Sequence, residues 1–298
     1  MYALATTTAP LIMPPAFPFP TRPVTVQSLA LGHEREVLAF LAQRPLHTVI
    51  MAGFIRDNGL VSPLNRGTFY GCRDASGYLE GVALVGHVTM VETESDEALE
   101  LFAQLARKYQ QAHLIIGEQQ KVERFWEFYG PTGQSMRRLC RELLFEQSWP
   151  VEVHEAVDLR LATLDDLEQL LPVHAQMAFE ECGINPLERD PIGFRERTTR
   201  RIEQGRVWVS MDQGRLVFKA DVISDTPEQI YIEGVYVNPQ DRGKGYGARF
   251  VSQLSRCLLE RTRSVSLLVN EKDQVAQACY RKAGYRECGY YDTVYLQQ

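Results

Sequence analysis

The run Ile232-Glu233-Gly234-Val235-Tyr236-Val237-Asn238-Pro239-Gln240-Asp241-Arg242-Gly243-Lys244-Gly245-Tyr246-Gly247-Ala248 joins a β-branched strand to an amphipathic helix through a turn dense in glycine and cations. Phe250, Val251, Leu254, Cys257 and Leu258 then fall on one helical stripe, which puts the glycines at that helix's N-terminus. Free backbone N–H groups and the positive end of the macrodipole therefore face whatever enters the turn, and glycine leaves no Cβ in a phosphate's way. The chemistry such a turn suits is pyrophosphate binding. A Walker A loop is excluded because Gly245, not Ser or Thr, follows Lys244. Gly243 to Ala248 meets a G-x-G-x-x-A dinucleotide pattern, but the next strand, Ser264 to Val269, ends in Asn270 where that pattern needs an acid.

Arg242-x-x-Gly245-x-Gly247 resembles the Arg/Gln-x-x-Gly-x-Gly/Ala signature of the GCN5-related N-acetyltransferases. The stretch from Asn270 to Tyr285 resembles that family's second signature: a polar strand end, a helix carrying Ala and Tyr, then Gly-aromatic. The resemblance covers about residues 157 to 298. One position departs from it, since Asp273 stands where the family has a second Asn. An ionised Asp only accepts hydrogen bonds, and an N-cap for the following helix is the alternative role. The resemblance implies acetyl-CoA as cosubstrate and no metal. It places the cosubstrate where two parallel strands splay, with pantetheine along Val235, Tyr236 and Val237. The pyrophosphate is expected on the N–H groups of Gly243, Lys244, Gly245, Tyr246, Gly247 and Ala248, with charge from Arg242 and Lys244. Asn270 and Asp273 are expected to contact the cofactor, and a backbone N–H near Val237 to meet the developing oxyanion.

Acetylating an amine means removing a proton from an ammonium of pKa about 10 and returning one to the departing thiolate. Glu233 is the expected base. Strand alternation sets it on one face with Tyr231, Val235 and Val237, among apolar neighbours that would raise its pKa. The strand also resembles that of aminoglycoside 6'-acetyltransferases, whose glutamate acts as base. Pairing with a cation such as Lys219, or a bulge that flips its face, are the alternatives. Tyr280 matches the family tyrosine that protonates the thiolate; a core aromatic is its other reading. The acceptor is expected against residues 178–186, where Glu180 and Glu181 either hold a cationic amine or end an exposed helix. No cysteine is placed for a ping-pong reaction. The expected activity is direct acetyl transfer to a primary amine of a small molecule or peptide; a CoA-binding regulatory module without turnover and an acyltransferase using a longer acyl-CoA stay open.

At 298 residues, 45% hydrophobic and 23% charged, the chain has room for two globular domains. Its net charge of −6 offers no general attraction to nucleic acid, and Arg137, Arg138, Arg141, Arg200 and Arg201 read as solvated faces. Six cysteines without a C-x-x-C point to a reduced, cytoplasmic protein. Residues 1–23 are Pro-rich and read as a flexible tail, neither signal peptide nor membrane anchor. A break at 148–157 divides the rest into 24–150 and 151–298.

The first part is expected to run strand (24–29), helix (33–43), hairpin (68–73 and 78–91), helix (96–110), strand (113–117) and helix (121–129). The second repeats that order with strand 158–161, helix 164–180, strands 206–211, 215–222 and 229–237, then helix, strand and helix. The fold class is α/β, tandem acetyltransferase-like domains, each a mixed sheet flanked by helices. The first half also resembles an uncharacterised domain that precedes acetyltransferase domains in some bacterial proteins. Where its phosphate turn should lie stand Val91 to Glu97, with no glycine and the acids Glu92, Glu94, Asp96 and Glu97, whose charge opposes a pyrophosphate. The first half is thus expected to be degenerate, with one CoA per chain, and to shape the acceptor cleft or a homodimer contact.

Overall fold

The computed structural model describes residues 24–151 and 158–297; the tail and residues 152–157 of the boundary lie outside them. The first half folds as β1 (Thr25–Ser28), α1 (Glu34–Leu41), α2 (Pro45–Asn58), β2 (Gly67–Arg73), β3 (Leu79–Gly86), β4 (Val88–Thr93), α3 (Asp96–Ala106), β5 (Leu114–Glu118), α4 (Gln119–Tyr129) and β6 (Met136–Gln147). The second follows with β7 (Leu159–Leu161), α5 (Leu167–Cys182), α6 (Pro186–Arg189), α7 (Pro191–Glu203), β8 (Val207–Asp212), β9 (Arg215–Asp225), β10 (Ile230–Val237), α8 (Tyr246–Leu259), β11 (Val265–Asn270), α9 (Gln274–Lys282) and β12 (Arg286–Leu296). Apart from the extra α6, the two series repeat element for element, as expected, although α2, β6, α7 and β12 were not read from the sequence. The single strand expected over 78–91 is two, turned at His87.

Among the described residues, all twelve strands join one mixed sheet in the order β1-β2-β3-β4-β5-β12-β6-β11-β10-β9-β8-β7. The last strands are exchanged: β12 pairs with β5 of the first half, while β6 pairs with β11 of the second. The two exchanged strands lie antiparallel at the centre, pinned by the Arg141 guanidinium, which donates to both oxygens of buried Asp292 at 2.9 Å. Arg141 is therefore structural rather than a solvated face, and Arg137 and Arg138 likewise donate to the Cys182 and Glu181 carbonyls at the end of α5. Those contacts satisfy carbonyls that a helix C-terminus leaves unpaired.

Helices α3, α4, α8 and α9 cover one face of the sheet, and α1, α2, α5 and α7 the other. The α8 stripe buries Phe250, Val251, Leu254 and Leu258 completely or nearly so, each contributing about 1.5–3 kcal/mol of burial. Helix α2 crosses from the first half onto the second. Ser224 donates to its Val49 carbonyl at 2.7 Å, and a Cβ at Gly53 would lie 1.8 Å from the Ser224 Oγ. Arg206 clamps the helix end through both oxygens of Asp57 at 2.6 Å.

Candidate active site

Parallel strands β10 and β11 pair only at Ile230–Val265 and Tyr231–Ser266, then part. The crevice opens at their C-terminal ends, where α8 and α9 begin. A bulge shapes its wall: Glu233 pairs with Asp221 and Tyr236 with Lys219, so β10 carries one residue more than β9 over this interval. Gly234 and Val235 stand without register partners there, and Gly234 adopts φ +60°. The extra residue reverses the alternation. Val235 and Val237 pack into the α8 core with Ile230 and Ile232, while Tyr236 turns to the α5–α7 core. Glu233 therefore shares its face with Tyr231 but not with Val235 or Val237, which corrects the simple alternation expected from the sequence.

The glycine turn is built to stay open. Asn238 starts it, accepting from Gln240 N at 3.1 Å and donating to Leu216 O at 2.9 Å. Buried Asp241 receives Arg215 at 2.5 Å and Lys244 at 3.1 Å, and Arg242 Nε donates to Val237 O at 3.0 Å. Both expected cations thus also brace the turn. Gly243 and Gly245 take φ +76° and +80° with nothing within 4 Å of a notional Cβ, the space a phosphate needs. Gly245 is the N-cap of α8 and brings no capping side chain, so the first N–H groups of Tyr246, Gly247 and Ala248 face the opening. Gly247 has another reason to be glycine, because a Cβ there would come 3.0 Å from Cys279 Sγ on α9. Tyr246 packs on Phe250.

Across the crevice, Asn270 Oδ1 accepts from Lys272 N at 2.9 Å at the end of β11. Asp273 caps α9, accepting from Ala276 N at 2.9 Å, so its carboxylate is used by the helix itself. Gln277, which the sequence reading passed over, ties α9 to this strand end by donating to the Asn270 and Glu271 carbonyls. Tyr280 lies deep on α9 against Phe145 and Tyr285. Among the described residues its hydroxyl has no hydrogen-bond partner, and burial pushes its pKa far up, which keeps the phenol protonated.

Glu233 sits on the crevice floor, open to solvent through the mouth yet walled by protein elsewhere. Loss of hydration pushes its carboxyl up to about 7, with Glu181, Asp221 and Glu142 adding and Arg201 opposing. Its neighbours are thus charged rather than apolar. Lys219, the cation weighed as its partner, instead meets Asp221 at 2.6 Å, and Asp221 lies 3.5 Å from both His174 and Arg201. Against dehydration, Lys219, His174 and Arg201 hold the Asp221 carboxyl well below the usual range. Among the described residues that buried pair leaves the Glu233 carboxylate unclaimed. Of the two acids proposed on α5, Glu180 accepts from Gln176 on the outside, whereas Glu181 accepts from the Tyr295 hydroxyl at 2.9 Å and turns toward the crevice.

In the first half, β4 and β5 also pair at only two positions and part, but β4 runs along β3 without a bulge. The acids there do not simply repel: Arg44 binds Glu92, Glu94 and Glu118, and Lys121 binds Glu92, spanning the split. Helix α3 carries its own cap, Ser95, which accepts from Ala98 N at 3.2 Å. A concavity of about 400 Å³ opens beside this network, lined by Phe40, Tyr78, Glu80 and Glu94 among others. Concavity alone does not mark the phosphate site, because this one offers carboxylates and no glycine turn.

Residues 220–295 match the family model described as FR47-like protein. A UPF0039 protein of Schizosaccharomyces pombe is 27% identical over 84 residues, 28% of this chain and 56% of that protein's length. Three solved structures align with nearly the whole chain. A Drosophila protein has TM-score 0.66 at 14% identity, covering 91% of this chain and 98% of its own. A tandem GNAT protein from the clavulanic acid biosynthesis pathway has 0.57 at 12%, covering 93% and 99%. A GCN5-related N-acetyltransferase from Sphaerobacter thermophilus has 0.56 at 13%, covering 91% and 94%. Fold and crevice together define the class: a tandem fold of the GCN5-related N-acetyltransferase type, with its FR47-like region in the second half. No helix among the described residues is long and apolar enough to cross a membrane.

Proposed function

We propose that the chain is an acetyl-CoA-dependent N-acetyltransferase acting on a primary amine by direct transfer, with 24–150 as the degenerate partner of a catalytic 151–298 part. The observation that carries this reading is the parting of β10 from β11 beside an uncapped, glycine-opened α8 N-terminus. Acetyl-CoA would lie with its pyrophosphate on Gly243 to Ala248 and its pantetheine along Val235 to Val237. The Glu233 carboxylate takes a proton from the acceptor ammonium, and the freed nitrogen bonds to the acetyl carbon. Charge gathering on the thioester oxygen meets N–H groups of the β10 bulge. As the carbon–sulfur bond breaks, the Tyr280 hydroxyl supplies the thiolate's proton, and the second proton shed by the new amide nitrogen restores the phenol. Arg44 and Lys121, bound to the acids of the first-half split, support a single CoA per chain. A thiol-release assay with acetyl-CoA and a panel of primary amines tests the reading. Tight CoA binding without turnover on any amine would leave a regulatory module instead.

A further inference from the structure

Three glutamates from three elements converge below the crevice. Glu233 comes from β10; Glu142 comes from the exchanged β6, in register between Asn270 of β11 and Tyr291 of β12; Glu181 ends α5. Thr293 donates to Glu142 and Tyr295 to Glu181, each at 2.9 Å, which orients both carboxylates. Tyr231 lies among all three, its electrostatic neighbours being Glu233, Glu142, Glu181 and Tyr291. It is 6% exposed, and its hydroxyl has no hydrogen-bond partner among the described residues. The side chain is nearly buried while its hydroxyl, without a protein partner, reaches solvent beside the carboxylates, where it can pair with a ligand. Of the cations on the packed elements, Arg201 of α7 faces Glu233, while Lys219 of β9 is committed to Asp221. The floor therefore gathers more acids than cations. No three His, Cys, Asp or Glu side chains among the described residues are placed to hold a metal ion together. A longer, organic cation fits that spread of charge.

We propose that the acceptor carries two amines, one delivered to Glu233 for reaction and the other held as an ammonium between Glu142 and Glu181, donating to the Tyr231 hydroxyl. This rests on the acetyl-transfer reading above and narrows its substrate to diamines. The reacting nitrogen surrenders its positive charge to Glu233, so a monoamine leaves Glu142 and Glu181 uncompensated at the moment of transfer; a second ammonium compensates them. The same placement explains why a strand of the degenerate half belongs in the site: β6 brings Glu142. Burial, with Glu181 adding, pushes the Glu142 carboxyl up to about 7, so the empty cleft retains protons that a dication displaces.

The test uses the intact chain with α,ω-diaminoalkanes and n-alkylamines of matched length. Diamines are expected to show kcat/KM about 10- to 100-fold above the matched monoamines, the worth of one charge-assisted contact. Glu142→Gln and, separately, Glu181→Gln should pull that ratio toward one, with thermal melts confirming that each variant folds. Calorimetry of the diamine against the CoA-bound protein should register proton release near pH 7 and none near pH 9. Monoamine turnover equal to diamine turnover overturns this inference and leaves acetyl transfer standing. Diamine binding that depends on Glu142 without any turnover overturns acetyl transfer and leaves the dication site standing. Neither binding nor turnover overturns both.

Discussion

Glu233 owes its surroundings to the residue after it. Gly234, at φ +60°, adds the bulge that sends Val235 and Val237 into the core and leaves the carboxylate among Glu142, Glu181 and Arg201. The residue was legible in the sequence and its surroundings were not, because period-2 alternation cannot register a one-residue insertion, which shows only in the pairing of β10 with β9. With its carboxyl near 7, the wild-type rate should climb through neutral pH as Glu233 ionises. Glu233→Gln should lose that limb and about 10²–10⁴ of the rate at pH 7, recovering only as the substrate amine deprotonates near pH 10. Tyr280→Phe should keep acetyl-CoA affinity by calorimetry and lose about 10²–10⁴ in turnover by thiol release, since only a proton donor is removed. Glu142 supplies a stability test with a definite sign. Its ordinary value of 4.5 rises to about 7 on folding, so between those pH values the folded state holds the proton that the unfolded state has lost. Stability is then present below pH 4.5 and lost as pH rises through 7. Glu142→Gln should therefore melt higher than wild type at pH 8 and show no such gain at pH 4, read by thermal denaturation.

At the scale of elements, one turn carries the proposed cosubstrate site. Its pattern of Gly243, Gly245 and Gly247 could be read directly because each glycine answers a local need, two for left-handed backbone and one for close helix contact. Asp273 was half legible: its sequence position allowed a cofactor contact or a cap, and α9 uses it as a cap. Gly245→Glu would force a side chain into φ +80° and set a carboxylate at the positive end of α8. Acetyl-CoA affinity should fall at least tenfold by calorimetry, and retained affinity would move the pyrophosphate elsewhere. The elements that escaped the sequence share a cause. Helix α2 has Thr48, Val49, Met51, Gly53 and Ile55 buried, which puts apolar and small residues around most of its girth and erases the one-sided stripe. Strand β6 opens Met136-Arg137-Arg138, charged where a strand would show alternation, because those arginines reach out to cap α5.

For the whole molecule, the repeat is close in architecture and unequal in chemistry. The first half keeps the parted strands and the following helix, but a capped α3, an unbulged β4 and the Arg44 network occupy the places where the second half is open. Titration of the intact chain with CoA should accordingly give one site, and two sites of similar affinity would make both halves competent. Fold class and repeat were legible because most elements carry their own pattern. The exchange of last strands was not, since either strand could pair on either side and only the three-dimensional partners decide.

That exchange also sets an order on synthesis. A ribosome releases β1 to β5 long before β12, so the first half waits with its β5 edge bare, while β6 stands ready with no β11 to join. In its final pairing neither half is complete until β12 has emerged, unlike tandem domains that close one after the other. During the wait, the bare β5 edge is a template that β12 of a neighbouring nascent chain fits as well as its own. The pairing that binds the halves is thus also one that two chains could make reciprocally, by exchanging their last strands.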